Sequence, residues 1–256
     1  MDTLQLKSLR VLLIGESCND EYYYGECRRV SPEAPVPVLD YTSKKVFPGM
    51  AANVHQNLMS FGVEVNFLTN RSQELIKERY IDNRSKSQLL RVDRGERVDP
   101  LIPAFIPDLN YDCIIFSDYD KGLITHHLAK HICSVYKGPV FVDSKKKDLS
   151  CFEGAIIKLN EFEEEEYSSL PEECDMITTL GKKGACWNHT MFLAPLVSVF
   201  DVSGAGDVFL ATLAVSHTSG EKLSTSIQRA VLMASKSVQY SGTYKITKED
   251  IDEICS

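Results

Sequence analysis

No stretch of this sequence stays apolar over the roughly 18 residues that a membrane-crossing helix needs, so no membrane partner is expected. Positive charge is not in excess either: 28 Lys and Arg stand against 36 Asp and Glu, a formal net charge of −8. A nucleic-acid surface needs a basic patch or stripe, so nucleic acid is not an expected partner. Phosphorylated small molecules stay open, because a few local cations and backbone amides suffice to hold them. C-x-x-C pairs are lacking, and the eight cysteines are scattered irregularly along a long chain. That spacing points to reduced, mostly buried thiols, not to a disulfide framework. The opening residues MDTLQLKSLR hold no long apolar segment or small-residue cleavage site, so a cytoplasmic location is expected. Internal repeats, low-complexity tracts and a convincing linker are also missing, and residues 1–256 are expected to form one domain.

Short apolar runs alternating with helix-length patterns give the chain an α/β rhythm, that of a mainly parallel sheet covered by helices. Strands are expected at residues 10–14, 63–68, 113–116, 140–142, 155–157 and 176–179. Two further runs, 36–41 and 87–92, alternate like half-exposed strands. With the Pro-rich segment before the first of them, they suggest a small lid with strands near 22–42 and 79–93. An exposed lid strand can pair with a second subunit, so a homodimer through the lid is an expected form of assembly. Helices are expected at 51–61, 125–136, 205–215 and 223–238, and Thr247 followed by Asp250 marks a capped terminal helix.

The sharpest motif is Asp201-Val-Ser-Gly-Ala-Gly-Asp207, running into the apolar helix that begins Val208-Phe209-Leu210. Glycines at 204 and 206 let the backbone bend tightly and approach a ligand with no Cβ in the way. The first amides of a helix lack intrahelical partners and, with the helix dipole, bind anions. The amides of Gly204, Ala205 and Gly206 are therefore a candidate anion hole for a transferring phosphoryl group. A carboxylate at 207 repels phosphate, but it suits a base that takes a proton from an attacking hydroxyl. Taken alone, the motif equally fits a glycine turn with Asp207 stabilising the helix dipole.

Other segments decide between these readings. Asn160-Glu-Phe-Glu163, Thr179-Leu-Gly-Lys-Lys-Gly184, Pro48-Gly-Met-Ala-Ala-Asn53 and Asp20 after the first strand accompany the glycine turn. Together and in this order they resemble the ribokinase-like carbohydrate kinases. Arg29-Val-Ser-Pro-Glu-Ala-Pro-Val-Pro37, Gln88-Leu-Leu-Arg-Val-Asp93, Ser117-Asp-Tyr-Asp-Lys-Gly122 and Asp143-Ser-Lys145 are similar to segments of the bacterial heptose-7-phosphate kinases within that family. The resemblance implies a three-layer α/β sandwich with a small β lid, and ATP and Mg²⁺ as cofactors. It implies phosphoryl transfer to the 1-hydroxyl of D-glycero-D-manno-heptose 7-phosphate, on the route to lipopolysaccharide core. Other sugars or sugar phosphates, and a non-catalytic sugar- or nucleotide-binding homologue, stay open beside it. Carried over residue by residue, it makes Asp207 the base. Asp20, Gly49, Asn53, Asp118 and Lys121 become substrate-binding candidates, and Lys145, Asn160, Thr179 and Gly181 ATP-binding ones. Asn160 and Glu163 would hold magnesium through water.

Two departures bear on the substrate half. Met50 stands where the family has a glycine, so it is expected on the wall of the sugar pocket. Leu68-Thr-Asn70 also runs almost directly into Glu78-Arg-Tyr80, where the family carries a further helix and strand of roughly 20–30 residues at typical lengths. The five glutamates of 161–166 are otherwise a solvated helix start favoured by the dipole. His127 and His131 share a helix face without an H-E-x-x-H zinc pattern. Tyr22, Tyr23 and Tyr24 fit sugar stacking and hinge packing equally.

Overall fold

The protein is described from a computed structural model covering residues 9–71, 74–240 and 242–255. An eight-stranded sheet, in the order β12-β11-β10-β9-β8-β7-β1-β4, forms its centre. Its strands are β1 (Arg10–Gly15), β4 (Glu64–Leu68), β7 (Cys113–Asp118), β8 (Val140–Ser144), β9 (Ile156–Asn160), β10 (Asp175–Thr179), β11 (Ala185–Trp187) and β12 (Thr190–Phe192). From β4 to β10 every pairing is parallel, and β11 and β12 close one end as antiparallel strands. Parallel strands buried on both faces read as continuous apolar runs, which is why RVLLI and CIIF identified two of them.

Period-2 alternation splits each central strand between two cores. Val11 and Leu13 of β1 and Ile115 of β7 face helices α1 (Ala51–Ser60), α4 (Ala205–Thr218) and α5 (Leu223–Ser237), meeting Val54, Leu58, Leu213 and Ile227. Leu12, Ile14, Ile114 and Phe116 face the other way, against Leu128 and Ile132 of α2 (His126–Val135) and Phe152. Helix–sheet–helix layering follows, as expected. α2 begins where its cap places it, Thr125 Oγ1 accepting from the Leu128 amide at 3.1 Å. The terminal α6 (Lys248–Cys255) opens on a reciprocal cap: the Asp250 amide donates to Thr247 Oγ1, and the Thr247 amide donates to Asp250 Oδ2 at 2.8 Å.

The second sheet is the lid, ordered β3-β2-β5-β6, from β2 (Ser17–Val30), β3 (Pro37–Met50), β5 (Ile76–Asp82) and β6 (Ser87–Arg94). Residues 17–30 were not expected to form one continuous strand. They lack apolar alternation because Asp20, Tyr22 and Tyr24 cover one face and Glu21 and Tyr23 the other, so neither face is plainly hydrophobic. The expected run at 36–41 likewise extends to Met50. From β4 the chain enters β5 within a few residues, leaving β4 at the edge of the central sheet. The seven cysteines whose side chains are described are free thiols, and the Cys255 side chain lies outside the described residues. Among the described residues no helix is long and apolar enough to cross a membrane.

Candidate active site

In open α/β sheets ligands bind at the carboxyl ends of the strands where the strand order reverses. Here that point lies at β1, with β4 on one side and β7 on the other. The chain leaves β1 for the lid through Glu16, returns through Gly49 and Met50, and enters α1. The lid therefore arches from the crevice edge itself.

Asp207 sits in the first turn of α4, 6% exposed. Gly204 before it takes φ +77°, a left-handed turn, and a Cβ there would meet Asn53 Nδ2 at 2.5 Å. That closeness lets Asn53 Nδ2 donate to Asp207 Oδ2 at 2.8 Å. Tyr119 donates its hydroxyl to the other oxygen, Oδ1, at 3.1 Å. Burial raises the Asp207 carboxyl to about 6, against the pull of the Asn53 bond, and the Asp143 charge adds to the rise. Asp207 is thus a carboxylate poised near neutrality, the range suited to a general base.

Beside it lies a buried ammonium that sequence reasoning missed. Lys158 of β9 is 4% exposed and donates to Asp143 Oδ2 at 2.6 Å. A Cβ on Gly206 would come within 3.0 Å of its Nζ, so glycine there lets the helix start close on a cation. The signal was in the sequence: Lys158 interrupts the apolar strand AIIKLN, and a lysine is almost never buried unless paired. No side chain caps α4, but the Ala205 amide is turned to the Val202 carbonyl at 3.3 Å. Of the three residues proposed for the anion hole, Ala205 is the one whose amide is already engaged.

Asp143 also accepts from Lys145 Nζ at 3.1 Å, and Lys145 pairs in turn with Glu163. Burial would raise the Asp143 carboxyl, yet Lys158 and Lys145 hold it down to about 2. Asn160 and Glu163 form a capping box at α3 (Glu161–Glu166): Asn160 Oδ1 accepts from the Glu163 amide and Glu163 Oε2 from the Asn160 amide, both at 2.9 Å. Magnesium keeps several waters and binds one or two carboxylates plus substrate phosphates. Among the described residues no three acidic, His or Cys side chains gather to hold an ion unaided. Glu163 accepts from Lys145 and the Asn160 amide, and Asn160 Oδ1 from the Glu163 amide, so either could reach an ion only through water and their remaining lone pairs.

Thr179 and Gly181 line an apolar cleft of about 300 Å³ that reaches Ala205, Gly206 and Phe209, with Val202 and Val238 on its walls. A flat apolar ring placed there would lead its attached groups to the glycine turn.

On the lid side, Asp20 packs so closely on Gly49 that a Cβ there would clash with its Oδ2, and it forms an ion pair with Arg79. Arg79 and Lys77 alternate on β5 and pair in register with Tyr22 and Asp20 of β2, so both face the crevice; neither was expected. Lys77 Nζ lies 5.2 Å above the Tyr119 ring centre and has no ion pair among the described residues.

One expected substrate residue is held inside the fold. Asp118 is fully buried, and its oxygens are taken by Ser144 Oγ at 2.7 Å, the Asp120 amide at 3.0 Å and Lys146 at 2.9 Å. It ties β7 to the turn after β8, leaving no oxygen for a ligand. Lys121 contributes backbone bonds, its amide donating to Glu16 Oε1 at 3.2 Å. Met50 is 3% exposed and belongs to the core beside Ile14, Cys18 and Leu75, so it supports the crevice from beneath instead of walling it.

Comparison with known proteins agrees with this geometry. Residues 139–250 match the model of the pfkB family of carbohydrate kinases. The chain is 32% identical to the bifunctional protein HldE of Nitratiruptor sp. over 297 residues, covering 95% of this chain and 64% of that protein. HldE of Hyphomonas neptunium is 31% identical, over 94% of this chain and 62% of its own. The chain thus spans less than two thirds of the length of these curated relatives. Among solved structures, ribokinase from Thermotoga maritima superposes with a TM-score of 0.71 at 15% identity, covering 96% of this chain and 99% of that one. Phosphofructokinase-2 from Escherichia coli, in complex with substrates and products, gives 0.73 at 15% identity, over 96% and 98%. The chain thus shares its fold with these structures over nearly its whole length, and its second half matches the pfkB family model.

Proposed function

We propose that the chain transfers the γ-phosphoryl group of ATP to a hydroxyl of a sugar phosphate, with Asp207 as the base. The observation that carries this reading is the placement of Asp207: a buried carboxylate in the first turn of α4, held by Asn53 and Tyr119, beside the Lys158 ammonium. A carboxylate that only stabilised the helix dipole would gain by facing solvent. This one is buried in its charged form and raised towards neutrality, a cost that catalysis explains.

In the proposed reaction Asp207 takes the proton of the acceptor hydroxyl as its oxygen bonds to the γ-phosphorus, and the bond from phosphorus to the β–γ bridging oxygen breaks to release ADP. Lys158 and the amides of Gly204 and Gly206 meet the negative charge on the moving group, where preorganised donors act most strongly. The apolar cleft at Thr179 and Gly181 takes the adenine. Asn160 and Glu163 would hold the waters of a magnesium ion, which would supply neutralisation of phosphate charge when bound with ATP.

A heptose 7-phosphate is the proposed acceptor, with its 1-hydroxyl as the reacting group. Resemblance supports it, and so does charge: Lys77 and Arg79 on the inner face of the lid suit an acceptor with an anionic far end, while Asp20 suits sugar hydroxyls. The short connection from β4 to β5 favours a second reading, a different sugar phosphate, because that connection borders the lid. Turnover of ATP against a panel of sugars and sugar phosphates, including heptose 7-phosphate, tests both readings. Phosphorylated acceptors should be used and their plain sugars used poorly. ATP hydrolysis without transfer to any member would refute the kinase reading.

A further inference from the structure

Asp207 is held from two directions, and the kinase reading gives no role to the second. Asn53 reaches it from α1, and Tyr119 from the turn after β7. That turn is built around Glu16, a fully buried carboxylate that accepts from the amides of Tyr119 at 2.8 Å, Lys121 at 3.2 Å and Leu123 at 3.1 Å. The Tyr119 backbone is therefore fixed before its side chain does anything.

The ring of Tyr119 also carries two ammonium groups. Lys145 Nζ lies 5.6 Å from its centre, and Lys145 is itself held by Asp143 and Glu163 on the nucleotide side. Lys77 Nζ lies 5.2 Å from the centre and comes from β5 of the lid. A cation over an aromatic face is attracted by the ring's electrons, and withdrawing them makes the phenol a better donor. A donor polarised in this way strengthens the next bond in its chain, here the bond to Asp207 Oδ1.

We infer that Tyr119 is a positioning residue for Asp207 through which the lid acts on the base: Lys77 seated on the ring strengthens the hydroxyl's hold on Oδ1. The held carboxylate turns its remaining lone pairs to the acceptor hydroxyl. Tyr119 keeps its own proton throughout, because burial and the Asp207 charge hold its pKa well above that of a free phenol. The charged and titratable groups facing Asp207 are Asp143 of β8, Lys158 of β9, Tyr119 and Cys18 of β2, with neutral Asn53 of α1. Cys18 also feels the charges of Lys77 and Arg79, and Tyr119 is the one with a lid cation over its ring and a hydrogen bond to Asp207.

This inference rests on Asp207 being the base, so its test has an arm without turnover. Tyr119→Phe keeps the ring, its packing and both cation contacts, and removes only the hydroxyl. In the ligand-free protein, carbon-13 NMR titration of the carboxyls, with the Asp207 signal identified by its loss in Asp207→Asn, should show Asp207 titrating at higher pH in Tyr119→Phe. In turnover, kcat should fall about 10- to 100-fold, the worth of one hydrogen bond to a charged group. KM for ATP should stay unchanged, and the acid limb of the rate profile should move to higher pH. Lys77→Met should lower kcat when Tyr119 is present and add little to kcat in the Tyr119→Phe background. An unmoved Asp207 titration overturns the inference whether or not an acceptor has been found. A moved titration with no acceptor turned over sinks the kinase reading and leaves the hydrogen bond standing. Effects of the two substitutions on kcat that simply multiply would overturn the link to the lid.

Discussion

Met50 gives an unusual reversal to test. It precedes α1 with φ +59° and ψ −135°, a conformation that only glycine adopts freely, while its side chain is 3% exposed in the core below the crevice. Two opposed terms therefore act at one residue. Removing a buried Met side chain to Ala costs about 2–5 kcal/mol. The backbone strain of a non-glycine residue in such a region is about 1–3 kcal/mol, and Met50→Ala keeps it. Met50→Gly loses the same side chain but releases the strain. Against that release stand the looser unfolded chain of glycine, about 0.4–1 kcal/mol, and the loss of one further small group. The balance leaves Met50→Gly the more stable of the two by about 1 kcal/mol, with both below the wild type.

Thermal melts read this directly, since about 1 kcal/mol moves the midpoint by roughly 2–4 °C in a chain of this size. The order Gly above Ala is the inverse of that found where φ is negative. A melt in which Met50→Ala is the more stable would refute the strain argument. ATP titration should be unchanged in both variants, because Met50 lies under the lid connection and away from the cleft at Thr179.

Three further outcomes are expected. Asp207→Asn should slow transfer by about 10²–10⁴ with ATP affinity kept, and the wild-type rate should fall as pH drops through about 6, where burial places the Asp207 pKa. The stability sign runs the other way: a carboxyl raised in the folded state stabilises the fold below its unfolded pKa, and that contribution is lost as pH rises through about 6. Asp207→Asn should accordingly melt higher than wild type at pH 7.5 and gain nothing at pH 4; equal differences at both would mean that Asp207 is not buried in its charged form. Glu163→Gln keeps the cap on α3, but should raise the magnesium concentration needed for half-maximal rate, while exposed Glu165→Gln should not; equal effects would assign both to the summed charge of the helix. Lys77→Met should raise KM about tenfold or more for a phosphorylated acceptor, as expected for a lost charged hydrogen bond, and leave KM for ATP alone; a matching rise in KM for ATP would place Lys77 on the nucleotide side.

Much of the scaffold was legible because its signals are local. RVLLI and CIIF are buried on both faces and read as strands without any partner in view. Thr125 and Thr247 announced their helices through caps that the structure forms. The glycine turn announced a helix start and a carboxylate close to it. What stayed hidden depends on residues distant in sequence. β2 is polar on both faces, and its strand character comes from pairing with β3 and β5. Arg79 and Lys77 look like ordinary surface charges until register sets them opposite Tyr22 and Asp20. Asp118 sits in a motif with Lys121, yet Lys146, 28 positions on, takes its charge. Short-range pattern told which groups carry chemistry and not which of them would neutralise each other.

That distinction also explains how the groups around Asp207 are held independently of the short β4–β5 connection. The alignment with the Nitratiruptor protein runs 297 residues against a chain of 256, so that relative carries segments lacking here. The short connection from β4 to β5 lies at the sheet edge and leads into the lid. The groups around Asp207 are fastened elsewhere. Asn53 and Asp207 join α1 to α4, and Asn57, one turn below Asn53, donates to the Asn53 carbonyl at 3.0 Å and accepts from the Ile246 amide at 2.9 Å. Lys158 and Asp143 join neighbouring strands of the sheet interior. Each of these bonds links elements that share a core, so trimming the edge leaves them intact. The lid is held differently: the Asp20–Arg79 pair joins β2 to β5 within it, and the Lys77–Tyr119 contact ties it to the turn after β7. Divergence from the relatives should therefore show first in which acceptor the lid admits, and last in the chemistry at Asp207.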